Sequence, residues 1–214
     1  TSIINANYRK KHGIFYKILA AAVWILVWQL ASMWLKQEIL LASPVSVVKK
    51  LWQFLPQAEF WKTVGFSFVR IVSGFLLGLF AGTILAAAAC GCKVLEILLA
   101  PVVTVMKSVP VASFIILCLI WIPSRNLSVF ITFLMVFPAV YTNVCQGIRE
   151  TDRELLEMAQ VFQVSFGRKV RYIYISQAAP YFLAACRLAL GLCWKAGVAA
   201  EVIGIPGGSI GEKL

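Results

Sequence analysis

Three cations, Lys107, Arg187 and Lys195, sit inside stretches that are otherwise apolar. A positive side chain in that setting has few uses. It can solvate an anion, pair with a carboxylate such as Glu201, or reach an aqueous layer with its charged tip. Around Lys107 the sequence reads KSVPVAS, so Ser108, Pro110 and Ser113 add hydroxyls and a helix breaker beside the charge. Little other chemistry is on offer. The apolar stretches are nearly free of Asp and Glu, and the one histidine, His12, lies in a basic N-terminal segment, so no acid and base converge on a reaction centre. Six cysteines are present without a C-x-x-C pair, and Cys90-Gly91-Cys92 falls short of the roughly four ligands a zinc site needs. They read as small, adaptable packing residues. No glycine loop of the phosphate-cradling kind is present. Expected catalytic residues, metal ligands and resident cofactors are therefore none.

A second constellation is built for contact. Thr151 and Glu154 have capping-box spacing ahead of Leu155 and Leu156, which predicts a helix starting near Asp152. Leu155, Met158, Ala159 and Phe162 share one face of it, while Arg153, Glu157 and Gln160 lie elsewhere on the cylinder. A break is expected around Gln163 to Ser165, with Ser165 capping a second helix through Arg168, Lys169 and Arg171. An amphipathic loop resting on anionic lipid would explain the basic half. It does not explain Glu150, Asp152, Glu154 and Glu157, which such a surface repels. An acidic helix that shows Leu, Met and Phe reads better as a knob received by a partner's groove.

The elements that position these residues follow from composition. The 214 residues are 61% hydrophobic and 14% charged, against about 25% charged in soluble domains, and the mean hydropathy is +0.86. A core of this size cannot hide so much apolar surface, so the excess faces lipid and the fold class is an all-α, polytopic transmembrane bundle. The expected spans are 18–35, 64–90, 95–122, 127–147 and 178–200, in a single transmembrane domain over 1–214. An amphipathic surface helix is expected at 44–55, opened by Ser43 and Pro44. Gly74, Gly78 and Gly82, four residues apart, form a smooth stripe that lets a neighbouring helix approach closely. Arg70, two turns into its span, is expected to snorkel outward. Pro110 predicts a kink or a broken helix within 95–122.

The net charge of +11 does not indicate nucleic acid, because the cations sit between the apolar runs. With the N-terminus inside, the inner segments carry Arg9, Lys10, Lys11, Lys17, Lys93, Arg149, Arg153, Arg168, Lys169 and Arg171. The outer segments carry Lys36, Lys49, Lys50, Lys62, Arg125 and Lys213. That bias predicts a cytoplasmic N-terminus and places 150–176 in the cytoplasm.

The contact stretch also resembles a family. Membrane subunits of bacterial ATP-binding-cassette importers carry a cytoplasmic signature of Glu-Ala-Ala, three residues, Gly, nine residues, Ile, one residue, Leu-Pro. This chain has Glu157-Met158-Ala159, Gln163 at the Gly position, Ile173 at the Ile position, and Ile175-Ser176 in place of Leu-Pro. The stretches LLASPVSVVKKLW, FSFVRIVSGFLLGLFAG, APVVTVMKSVPVASFIILCLIWI and AAPYFLAACRLALGLCWKAGVAAEVIG look, in that order, like permeases of the nitrate, sulfonate and taurine branch.

The resemblance implies a permease in the bacterial cytoplasmic membrane, paired with a second copy. It implies an extracytoplasmic solute-binding protein, and a cytoplasmic ATPase dimer that binds ATP and Mg and performs the hydrolysis. It implies docking of that ATPase by Glu154, Leu155, Glu157, Met158, Ala159, Phe162, Gln163 and Ile173. It also implies import of a small anion by alternating access, for which Lys107, Ser108, Pro110, Ser113, Arg187 and Lys195 are pathway candidates. Sulfonate, nitrate, taurine and a pyrimidine vitamin precursor all fit the branch. Members have six spans where five are read here, so the sequence is expected to be truncated or partial. Gln163 in place of glycine suggests a turn of different geometry. The alternative reading is a secondary transporter or channel, which an inverted repeat would favour and which the halves do not display.

Overall fold

The computed structural model describes residues 2–35 and 41–213, and side chains over 16–35 and 41–213. Lys36 and the side chains of Arg9, Lys10, Lys11 and His12 lie outside the described residues. Among the described residues the chain is helical with no strand. It divides into two units, Thr1–Trp61 and Lys62–Leu214.

In the first unit, α1 (Ser2–Leu35) is apolar from Tyr16 to Leu35 and long enough to span. Almost none of its described side chains is buried, the pattern of a helix solvated by lipid rather than water. Its end is tied to the following loop, where Trp28 Nε1 donates to the Ala42 carbonyl at 3.0 Å and Ser32 Oγ to the Leu41 carbonyl at 2.9 Å. The amphipathic α2 (Pro44–Phe54) begins at Ser43, whose Oγ accepts from the Ser46 N–H at 3.1 Å. Proline at the first helical position sacrifices an N–H that has no partner there anyway. Phe54 stacks on Phe60 at 6.2 Å, and Trp61 Nε1 donates to the Leu55 carbonyl, folding the chain sharply after α2.

The second unit is built on α6 (Ser124–Arg149) and α9 (Ile175–Gly204), packed antiparallel. Ser128 Oγ donates to the Gly197 carbonyl at 3.2 Å, while at the other end Gly147 lies against Ala178 and Tyr181. The other face of α6 receives α3 (Ala58–Gly91), running parallel. A Cβ at Gly74 would stand 2.4 Å from the Val129 carbonyl oxygen, one at Gly78 2.8 Å from Val136 Cβ, and one at Gly82 3.0 Å from Val140 Cβ. Each glycine thus accepts a residue from the next turn of α6, and side chains give way to backbone contact. Ile71, Val136, Val140, Ala185 and Ala189 close the core between the three helices.

The expected span 95–122 is not one straight helix. α4 (Lys93–Ser108) and α5 (Val111–Leu119) meet at 103° across Val109 and Pro110. Proline supplies no N–H and forces the residue before it out of the helical region, and Val109 is accordingly extended, with ψ 130°. Among the described residues four helices are long and apolar enough to cross a membrane, or five if the bent pair counts as one span.

Beyond α6 a short helix, α7 (Arg153–Val161), stands alone. Then α8 (Phe166–Lys169), a π-helical turn (Val170–Tyr174) and α9 run on as one 39-residue helix. α9 ends at Ile205 in the left-handed region, φ 44°, a conformation that a β-branched residue adopts only under constraint. Pro206 and two glycines then turn the chain back into α10 (Ile210–Lys213).

Candidate functional site

The two ends of α6 carry the polar structure. At about 1.5 Å per residue they lie some 39 Å apart.

At the α7 end, Thr151 and Glu154 do not form the expected capping box. Thr151 is buried and its hydroxyl turns back to the Gly147 carbonyl, closing α6. The cap falls one residue later, where Asp152 Oδ1 accepts from the Glu154 N–H at 2.9 Å. The helix ends in a Schellman motif: Val164 N–H donates to the Ala159 carbonyl at 2.9 Å and Gln163 N–H to the Gln160 carbonyl at 3.0 Å. That arrangement needs a left-handed residue at position 163, and Gln163 has φ 50°. The expectation of a different turn there is therefore corrected. Position 163 takes the left-handed conformation that favours glycine, here with a side chain attached. Ser165 precedes α8, but its side chain makes no cap hydrogen bond.

Of the predicted docking set, Ala159 alone is buried, with Leu155 and Ile173 half-buried. Glu154, Glu157 and Gln163 are exposed. Met158 is 50% exposed, Phe162 74%, and the neighbouring Val161 and Phe166 78% and 77%. So Ala159 is the buried residue of α7, and an apolar rim with acidic flanks is exposed. Glu96 at the start of α4 and Arg149 at the end of α6 pair at 2.8 Å, partly exposed, binding two helix ends beside α7.

At the opposite end the polar groups are sealed in. Glu201 is 0% exposed and Arg70 7%. Arg70 Nη1 lies 3.8 Å from Glu201 Oε1, its Nη2 donates to the Ser124 carbonyl at 3.1 Å, and the guanidinium sits 4.9 Å over the Phe66 ring. Ser67 Oγ donates to Glu201 Oε2 at 2.6 Å and accepts from the Ile210 N–H at 2.9 Å. Gly211 presses on the same place: a Cβ there would stand 2.3 Å from the Glu201 carbonyl carbon. The loop after α9 is thereby tied to α3 through the Ser67 hydroxyl, which also holds the Glu201 carboxylate. Arg70 does not snorkel outward, because Glu201 supplies an internal counter-charge. Sequence reasoning missed this cluster. Its signal was an acid and an arginine in separate apolar spans, with Ser67 one turn from Arg70.

The pathway candidates are placed as follows. Lys107 is exposed and its Nζ donates to Thr142 Oγ1 at 3.2 Å. Ser108 Oγ donates to the Val105 carbonyl, Pro110 opens α5, and Ser113 is exposed. The inner side of this bend is apolar, with Met106, Val109, Val111 and Phe114 facing Ile131, Leu134 and Met135 around a void of about 10 Å³. Arg187 and Lys195 lie on the exposed face of α9, and neither meets Glu201, whose oxygens face Arg70 and Ser67. Among the described residues no group of three His, Cys, Asp or Glu side chains could hold a metal.

Residues 74–214, from the glycine stripe through the Glu201 clamp, match the family described as binding-protein-dependent transport system inner membrane component. The chain belongs to this family. It is also similar to curated permeases over nearly its whole length. It is 29% identical to the putative aliphatic sulfonates transport permease of Bacillus subtilis strain 168, covering 94% of this chain and 73% of that protein. It is 32% identical to the permease of the same description in Escherichia coli K12, covering 87% and 74%. It is 27% identical to the nitrate import permease of Synechococcus elongatus, covering 89% and 72%. These relatives are transport permeases, not enzymes. The chain is a multi-pass membrane permease of the importer branch that the signature around Glu157 suggested.

Proposed function

We propose that the chain is the membrane-spanning subunit of an ATP-driven importer for a small anion, and that α7 is where a separate ATPase subunit grips it. The observation that carries this is the exposure pattern of α7. A short helix, capped at both ends, stands at the end of the bundle on one small buried residue and presents Met158, Val161 and Phe162 outward. Such a rim is costly in water and useless in lipid while Glu154 and Glu157 flank it. It suits a groove on a water-soluble partner. In this reading the N-terminus and α7 are cytoplasmic, and closure of an ATP-bound dimer pulls on α7. The movement passes through the long helix Phe166–Gly204 and rocks a pair of permease copies between inward- and outward-open states. A binding protein delivers the solute from the other side. The anionic class is supported by the names of the relatives, which concern sulfonates and nitrate, and by the cations on α9.

The test is ATP hydrolysis by the complex reconstituted in proteoliposomes with the binding protein and its solute. Glu157→Lys or Phe162→Asp is expected to abolish solute-stimulated hydrolysis while the chain still inserts in the membrane. Normal stimulation in either variant would remove α7 from the coupling role.

A further inference from the structure

The exposed face of α9 holds two charges with no counter-ion. Arg187 and Lys195 each lie four residues from Gly191, and four-residue steps keep all three on one side of a helix. The two Cα atoms are about 12 Å apart along the axis. Gly191 lies near the middle of the expected span, 178–200, so the pair brackets its centre. A Cβ at Gly191 would meet nothing within 4 Å, which leaves open surface between the charges. Leu190 and Trp194 flank this stripe on one side, Leu188 and Leu192 on the other.

Neither cation makes an ion pair or a hydrogen bond among the described residues. Arg70 pairs with Glu201 and Arg149 with Glu96. The single acid on α9, Glu201, is consumed at the far end by Arg70 and Ser67. Two desolvated cations on one face of a span repel one another and each loses hydration. An anion seated on Gly191 answers both penalties. The arginine fork can present two parallel N–H groups to an oxyanion, and the lysine adds a point charge on a flexible stem.

We propose that Arg187 and Lys195, with Gly191 as the floor between them, form a mid-membrane binding site for a small oxyanion, a sulfonate or an anion of similar size. The assignment rests on the importer reading and specifies which residues of the pathway hold the solute. Glycine matters there because any larger side chain would occupy the anion's place while leaving both charges intact.

The test uses the full chain in lipid nanodiscs, with trifluoromethanesulfonate as the probe and its fluorine line width as the readout, and trifluoroethanol as the neutral control. Expected are saturable broadening of the anion alone and displacement by ethanesulfonate. Arg187→Gln and Lys195→Gln should each weaken binding about tenfold or more, and Gly191→Leu should abolish it, with melting temperatures unchanged in all three. Wild-type affinity in both charge variants, no saturable broadening in the wild type, or equal competition by trifluoroethanol overturns the proposal. The importer reading fails separately. ATP-dependent sulfonate uptake that survives both charge substitutions sinks the site and keeps the importer. Anion binding that needs Arg187 and Lys195, in a complex that shows no ATP-dependent uptake, keeps the site and sinks the importer.

Discussion

The two ends of α6 solve opposite problems with similar residues. Beside Ser124 the charges turn inward: Arg70 faces Glu201, Ser67 donates to Glu201, and the loop is held at Ile210 and Gly211. Beyond Arg149 the charges turn outward, and it is the apolar groups of α7 that lack a partner. One end is finished within the chain. The other leaves an apolar rim exposed, which the proposed function gives to a second protein. A buried polar cluster fixes geometry but cannot be gripped from outside, while an exposed apolar rim can be gripped but adds little to the fold. Substitutions at the two ends should therefore separate stability from coupling.

The largest effect on stability belongs to the sealed end. Glu201→Ala leaves Arg70 buried without its counter-charge, a change that costs about 3–5 kcal/mol. Thermal unfolding in detergent should show it, and Arg70→Ala combined with Glu201→Ala should cost less than the two single changes added together. A purely additive result would mean that the 3.8 Å pair contributes nothing as a pair. Next comes the glycine stripe. Gly78→Ala drives a methyl to 2.8 Å from Val136 Cβ, and overpacking of that kind costs about 1–3 kcal/mol. The same assay should register a lower midpoint, whereas Gly191→Ala, which meets open space, should leave the midpoint unchanged or slightly raised.

At the α7 end the stability effects are small. Gln163→Gly relieves a left-handed glutamine and should stabilise the chain by up to about 1 kcal/mol with coupling retained. A loss of stability there would mean that the Gln163 side chain makes contacts worth more than the strain. Smallest of all is Phe162→Asp on an exposed site, expected within about 0.5 kcal/mol of the wild type. If it unfolds the chain, α7 is part of the core and the contrast between the two ends collapses.

The sequence displays the local features of this contrast. Apolar runs long enough to span are visible because lipid leaves little choice but helix, and α3, α6 and α9 extend only a few residues beyond the runs. The four-residue glycine spacing is legible because it is a property of one helix. The cap of α7 was misplaced, since Thr151 and Asp152 both qualify by type and only the end of α6 decides which hydroxyl or carboxylate is free. The Ser67–Glu201 contact joins residues 134 positions apart, and no window along the chain displays it. Arg70 alone looks like a cation seeking the membrane surface, and only the fold shows its partner. Pro110 signals the 103° bend but not its size, and Met106 and Phe114 on its inner side face Ile131 and Leu134 of α6, contacts that no window along the chain displays.

Direct capture tests the central claim, that α7 is the docking element. The chain and the ATPase subunit of its transporter are co-expressed, solubilised and purified through a tag on the chain, and the ATPase retained per chain is measured. The account predicts full retention by the wild type. Phe162→Asp and Glu157→Lys should lose nearly all of the ATPase with an unchanged melting temperature, and Gln163→Gly should retain it. Wild-type retention by Phe162→Asp and Glu157→Lys would contradict the account, because the apolar rim of α7 would then face no partner at all.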